Sequence, residues 1–170
     1  MSNLHSKPNQ VADRLIKGLA FDGNVRIVAA RTTGLVENAR RIHDTWPTAT
    51  AAFGRTLTGG LLMSALADEG EEITLQIMGS GPIGRLMAIS TGTGKVKGTI
   101  GEPHVNLRLN QEGKLDVGGA VGLPGKLLVI KCQGEKAPYH GMVPLVSGEI
   151  GEDLAEYYYR SEQIPTTVGV

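Results

Sequence analysis

The sequence has one cysteine, Cys132, in 170 residues. That excludes an internal disulfide and any multi-cysteine zinc site within this chain. Aromatics are also scarce, with one Trp, two Phe and four Tyr. Neither sign of charge is in excess: 17 Lys and Arg stand against 17 Asp and Glu. Domains that bind polyanions carry a clear positive surplus, so nucleic acid is not expected as the principal partner. Long hydrophobic runs are missing too. The most apolar helical stretch, Ala51 to Ala67, falls short of the roughly 20 residues a membrane span needs and carries Arg55. No membrane partner is expected. Met1 to Gln10 is polar and lacks the apolar segment of a signal peptide, which makes a cytoplasmic location the expectation.

Glycine is plentiful. It fills 24 of 170 positions, about twice its usual share of roughly 7%. Many tight turns and close backbone contacts follow. With 41% hydrophobic and 20% charged residues, the chain has the composition of a folded protein. Its length suits a single domain that buries about 70% of its extended-chain surface.

Residues 1–12 are expected to form a flexible N-terminal tail, and 13–170 the folded domain. Asp13 to Leu19 could make a short turn of helix. Asn24 to Ala30 reads as a strand entered through Asp22-Gly23. Leu35, Val36, Ala39 and Ile42 fall at helical spacing in Leu35 to His43. A second helix runs from Pro47 to about Leu66, since proline is tolerated in the first turn. Gly54, Gly59 and Gly60 lie inside it, each costing about 1 kcal/mol against alanine. Three such residues point to very close packing against a neighbour. Asp68 to Glu72 closes the helix as an acidic turn.

The pattern then changes period. Ile73 to Met78, Arg85 to Thr91, Lys95 to Ile100, His104 to Leu109, Leu127 to Cys132 and His140 to Val146 read as strands, most of them parted by glycine-rich turns. Spacings near ten residues favour hairpin connections and an antiparallel sheet. Ser147 can cap a last helix to about Gln163, with Ile150, Leu154, Tyr157 and Tyr158 as its apolar stripe. Thr166 to Val170 is apolar and strand-like. Domains seldom end on such a run, which points to a chain cut from a longer one. The fold class is α+β, a mostly antiparallel sheet with helices packed on it.

The sequence offers little chemistry. Gly79-Ser80-Gly81-Pro82-Ile83-Gly84 matches G-x-G-x-x-G, but a dinucleotide site needs a helix after the motif, and Arg85 to Thr91 reads as a strand. A tight turn is the better reading; a nucleotide-binding enzyme built on Gly79 to Gly84 is the alternative. His5, His43, His104 and His140 lack ligand spacing. Cys132 reads as a small buried hydrophobe in a strand, with Lys131 turned to the opposite face. Glu149, Glu152, Asp153 and Glu156 suit the positive end of a helix dipole. No catalytic, cofactor-binding or metal-ligating residue is assigned. The result favours a binding protein over an enzyme.

Several stretches in order resemble one family. They are Ala30-Arg31-Thr32-Thr33, then His43-x-x-x-Pro47-x-x-x-Ala51-Ala52-x-Gly54-Arg55-Thr56, then Gly79-x-Gly81-Pro82-Ile83-Gly84. Gly113-Lys114-Leu115-Asp116-Val117 and Ala120-Val121-Gly122-x-x-Gly125 follow, and then Ser147-Gly148-Glu149-Ile150, Glu152-Asp153, Tyr157-Tyr158 and Ser161-Glu162-Gln163-x-Pro165. The ordered set resembles the 33 kDa heat-shock proteins, redox-regulated molecular chaperones of bacteria. The resemblance implies an ATP-independent holdase core for unfolding client proteins, and a homodimer. It also implies a helical linker and a C-terminal zinc domain with C-x-C and C-x-x-C pairs. None of those cysteines is present here, and Cys132 matches none of them. No cofactor is therefore expected in 1–170, zinc belonging to the full-length family. The client-binding residues are not legible in the sequence.

Overall fold

The structure, a computed structural model, describes residues 12–170. The tail expected over 1–12 lies, except for Ala12, outside the described residues. In chain order the elements are β1 (Arg14–Ala20), β2 (Val25–Arg31), α1 (Thr33–His43), α2 (Pro47–Leu66), β3 (Glu71–Met78), β4 (Arg85–Thr91) and β5 (Val96–Ile100). Then come α3 (Val117–Val121), β6 (Lys126–Gln133), β7 (Tyr139–Pro144) and α4 (Gly151–Tyr157), which runs into a π-helical turn over Tyr158–Glu162. β1 and β2 form a hairpin. The other strands make one antiparallel sheet in the order β5-β4-β3-β6-β7. The α+β expectation holds.

Helix α2 organises the core. It is buried nearly all round, including Ala49, Ala52, Phe53 and Leu57. Its glycines sit where neighbours come closest. A Cβ at Gly54 would lie 2.9 Å from Val36 Cγ1 on α1, and one at Gly59 would lie 2.7 Å from Leu154 Cδ1 on α4. A Cβ at Gly60 would lie 3.1 Å from that of Ala88 on β4. Two of these contacts are tighter than real Cβ atoms make, so the propensity cost of glycine is offset by close approach. The buried Ser90 hydroxyl donates to the Gly60 carbonyl at 2.7 Å, tying sheet to helix.

Under α2, the β3 side chains Ile73, Leu75 and Ile77 alternate inward with Leu86 and Ala88 of β4 and Leu127 and Val129 of β6, all of them at or near zero exposure. Full burial of each large side chain contributes about 1.5–3 kcal/mol. Helix α4 packs on the same side. Tyr157 is buried, and its ring covers Gly141 of β7. The helices that touch the sheet therefore do so from one face.

Four expectations are corrected. Asp13 to Leu19 is no helical turn: Arg14–Ala20 pairs with Val25–Arg31, and Asp13 uses its carboxylate to accept the Gly34 and Leu35 amides at the start of α1. His104 to Leu109 is no strand. The Trp46 and Ala49 amides at the start of α2 donate to the Pro103 and Val105 carbonyls, so this segment caps the helix instead of joining the sheet. Ser147 does not cap the last helix, which starts at Gly151. The buried Asp153 carboxylate gathers the Val146, Ser147 and Ile150 amides at 2.7–3.1 Å and sets that start. Thr166 to Val170 is irregular, with Val168 packed on the core. The short helix α3 went unforeseen because Gly118 and Gly119 hide its periodicity.

Replacing Gly60 with leucine tests the close approach. The added helix propensity, about 1 kcal/mol, should be outweighed by overpacking against Ala88. A net loss of about 1–3 kcal/mol is expected from urea unfolding; no loss would show that α2 has room to spare.

Candidate functional site

The alternation that buries Ile73, Leu75 and Ile77 turns the other half of each strand outward. Cross-strand register places Thr99, Met87, Gln76, Leu128 and Met142 in one row across the sheet. The next row holds Lys97, Ile89, Thr74, Ile130 and His140. Met78 stands beside Arg85 and Lys126 at one end, and Glu72 beside Thr91 and Cys132 at the other. Met78, Met87, Ile89, Leu128 and Ile130 are half-buried, and so is Cys132, which was expected to be buried but stands on this outward face, while Met142 is 60% exposed. Met87 with Ile89 on β4 and Leu128 with Ile130 on β6 form two apolar strips on either side of Thr74 and Gln76 of the central strand β3, and the charged groups Arg85, Lys97, Lys126 and Glu72 lie toward the margin. Exposed apolar groups gathered on one face and rimmed by charge mark an interaction site.

A second feature lies on the helical side. A groove of about 850 Å³ runs between β2, α1 and α2, lined by Val28, Val36, Ala51, Leu62, Leu115 and Val170 among others. Arg55 faces it and is held by Glu149, whose carboxylate takes the guanidinium at 2.5 Å and the Gly118 amide at 3.0 Å. Glu149 is thus not a helix-dipole residue, as expected, but a clamp between α2 and α3. Glu152 and Asp153 do occupy the first turn of α4.

The Gly79 to Gly84 loop is a turn, with β4 following it directly. Its amides are already spent: Ser80 donates to the Gly122 carbonyl, Gly81 to Val121 and Ile83 to Ala120. A Cβ on Gly79 would lie 2.0 Å from the Val121 carbonyl oxygen, so two backbones cross in contact. No amide nest remains for a pyrophosphate, and the nucleotide alternative has no support here.

The histidines stay apart. His43 packs edge-on against Phe53. His104 lies against Trp46, with its Nε2 3.1 Å from Asp44. His140 is on the open sheet face. His5 lies outside the described residues. Among the described residues no three His, Cys, Asp or Glu side chains converge to hold a metal. The zinc implied by the resemblance has no ligand set here. Lys131 does point away from Cys132, onto the helical side.

There Lys131 bonds Glu162 at 2.7 Å, and the Tyr157 hydroxyl donates to the same carboxylate oxygen at 2.6 Å. Burial alone would raise the Glu162 pKa, but the Lys131 and Tyr157 bonds and the lysine charge outweigh it and hold it below the usual value. Burial, and then the Glu162 charge, pushes Tyr158 up to about 12. Tyr159 is exposed, so of the three consecutive tyrosines one reaches solvent. This carboxylate fastens the π-helical turn to β6.

The Hsp33 protein family profile matches residues 13–170. The chain belongs to the Hsp33 family. It is 49% identical over 160 residues to the 33 kDa chaperonin of Geobacillus kaustophilus, covering 94% of this chain and 54% of that protein. Identity to the Bacillus subtilis 33 kDa chaperonin is 46% over 158 residues, covering 93% and 54%. The crystal structure of the Thermotoga maritima 33 kDa chaperonin, a heat shock protein 33 homologue, superposes with a TM-score of 0.85 at 46% identity, covering 89% of this chain and 52% of that one. The chain spans about half the length of the Hsp33 relatives it matches. The open sheet face is what sequence reasoning missed. The strand alternation could have found it, because Met87, Ile89, Leu128 and Ile130 break the polar half of the pattern.

Glu162 gives a pH test. Its folded pKa is lowered, so its contribution to stability is present above about 4.5 and is lost as the pH falls through the folded value. Glu162→Gln should therefore be less stable than wild type at neutral pH. The gap in urea midpoints should narrow in acid, below 4.5. A gap constant with pH would show that the charge contributes nothing.

Proposed function

We propose that residues 13–170 are the client-binding core of an ATP-independent chaperone, and that unfolding polypeptides bind the open face of the β5-β4-β3-β6-β7 sheet. The observation that carries this reading is the two unpartnered apolar strips, Met87 with Ile89 and Leu128 with Ile130, that flank Thr74 and Gln76 opposite the face that the helices cover. The names of the Hsp33 relatives support it. Methionines are flexible and polarizable, which suits a surface that meets many apolar sequences. No bond chemistry is assigned to the chain: it is read as a binder, not an enzyme. Nucleic acid is not a proposed partner, in keeping with the balanced charge. Among the described residues no helix is long and apolar enough to cross a membrane. The reading carries a cytoplasmic location with it.

A second copy of the chain is the proposed partner of the β1–β2 hairpin. A two-stranded sheet is marginal alone, yet Ile16 and Phe21 are 65% and 78% exposed, and Leu19 and Ile27 are exposed beside them. A net charge of zero sets no long-range repulsion between copies.

A heated, aggregation-prone client followed by light scattering tests the first proposal. Wild type should suppress scattering under both reducing and oxidising conditions. A Leu128→Lys/Ile130→Lys variant with unchanged circular dichroism should lose most of that suppression, since lysine charges cost far more to desolvate than the apolar groups they replace. Undiminished suppression by that variant would place the site elsewhere. For the dimer, light scattering coupled to gel filtration should give twice the 18.0 kDa chain mass, reverting to one chain in Ile16→Ser/Phe21→Ser. A monomeric wild type would contradict it.

A further inference from the structure

The base of the β1–β2 hairpin carries an electrostatic cost that nothing among the described residues offsets. Register places Arg14 of β1 directly opposite Arg31 of β2, and like charges in that position are destabilising. Arg31 gives one guanidinium nitrogen to the Ala12 carbonyl, a neutral acceptor. Neither arginine forms an ion pair among the described residues. Met1 to Val11 contains no Asp or Glu that could pair with them. A third cation meets them here. Lys95, at the entry to β5, shares with both arginines a cavity of about 380 Å³, and it too forms no ion pair among the described residues. The hairpin and the main sheet are joined by no ladder, so the cavity lies between two otherwise separate sheets. The one acid that lines it is Asp13, whose two oxygens already accept the Gly34 and Leu35 amides. Arg14, Arg31 and Lys95 set against Asp13 leave a surplus of two positive charges. Leu15, Leu35 and Leu61 complete the wall, and their apolar surface strengthens the attraction for an anion by lowering the local dielectric.

We propose that this cavity binds a phosphate dianion, free or as the terminal group of a small phosphorylated molecule, and that the bound anion ties the hairpin to the edge of the main sheet. The chemistry matches on three counts. Arginine meets phosphate oxygens two at a time, and lysine adds a point charge. A phosphate group carries about −1.5 to −2 near neutral pH, which balances the surplus, whereas a carboxylate would leave one cation unmatched. An anion between Arg14 and Arg31 also turns their repulsion into a shared attraction. The hairpin gains a third point of attachment, and a two-stranded sheet is marginal without one. The site is independent of where clients bind.

The test titrates the nitrogen-15-labelled chain with inorganic phosphate, with glycerol phosphate, and with sodium chloride at equal ionic strength. The Arg14, Leu15, Arg31 and Lys95 amides should shift saturably with the phosphates and not with chloride. Amide exchange over β1 and β2 should slow in step. Tighter binding of glycerol phosphate would make the occupant a phosphomonoester, and tighter binding of inorganic phosphate the free ion. The side chains of Arg14 and Lys95 make no hydrogen bond among the described residues, so Arg14→Gln/Lys95→Gln should keep the wild-type circular dichroism. It should bind phosphate about tenfold more weakly, and Lys95→Gln alone about threefold. Phosphate stabilises folded proteins generally by exclusion from their surface, so the urea midpoint is compared between chains. Wild type should gain more from phosphate than the double variant. An equal gain in both would overturn the proposal. So would shifts that never saturate, or shifts centred on Arg85 and Lys126 in place of the hairpin base.

Discussion

The structure depends on how closely α2 lies against what surrounds it. Gly54, Gly59 and Gly60 let α1, α4 and β4 meet the helix at distances a side chain would forbid. Leu154 reaches through the gap at Gly59 toward Leu75, so α4 and the sheet share one core with α2. Because that contact saturates one face of the sheet, the helices gather there, and among the described residues the opposite face carries no helix. The apolar surface proposed to hold clients is thus a consequence of packing geometry elsewhere. Its rigidity comes from β3, paired on both sides over nearly its whole length.

Polar groups hold the periphery in place. Glu149 joins α2 to α3 through Arg55 and the Gly118 amide, while Asp153 takes three amides at the start of α4. Glu162 joins the π-helical turn to β6. Each carboxylate collects backbone or cationic donors that would otherwise be unpaired on burial, which makes these loops parts of the scaffold and not mobile surface. The Gly79 to Gly84 turn is a further case: its glycines serve backbone contact with 120–122, and a motif that resembles a phosphate cradle turns out to be a packing device. The hairpin β1–β2 is tied at its base, where Asp13 takes the Gly34 and Leu35 amides, but it keeps Ile16, Leu19 and Phe21 in solvent.

The main sheet was legible because its strands alternate and its turns are marked by glycine. The helix from Pro47 to Leu66 was legible from its proline start, and its glycines correctly implied close packing. What the sequence concealed were the places where distant groups decide local structure. His104 to Leu109 has strand-like residues, but the unpaired amides of α2 claim its carbonyls. Ser147 looks like a cap, and its hydroxyl does take the Glu149 amide, but the helix begins only at Gly151, where Asp153 takes the Ile150 amide. Asp13 to Leu19 has no strong period, and only its pairing with Val25–Arg31 makes it a strand. The outward apolar residues were legible only as a break in the polar half of the alternation, and their exposure was not. Alternating core and outward apolar residues give nearly continuous hydrophobic runs, such as Leu127 to Ile130, and a run does not say which half faces water. Only the one-sided placement of the helices does. The family resemblance, by contrast, was carried by ordered local motifs and needed no tertiary information.

The most direct test of the central claim is methyl NMR of protein labelled at methionine and at leucine, isoleucine and valine, titrated with an unfolded client. The Met78, Met87, Met142, Ile89 and Ile130 methyls should shift or broaden while Met63 stays unchanged. Changes confined to Val28, Val36 and Leu62 would place the client in the groove beside α2 and contradict it.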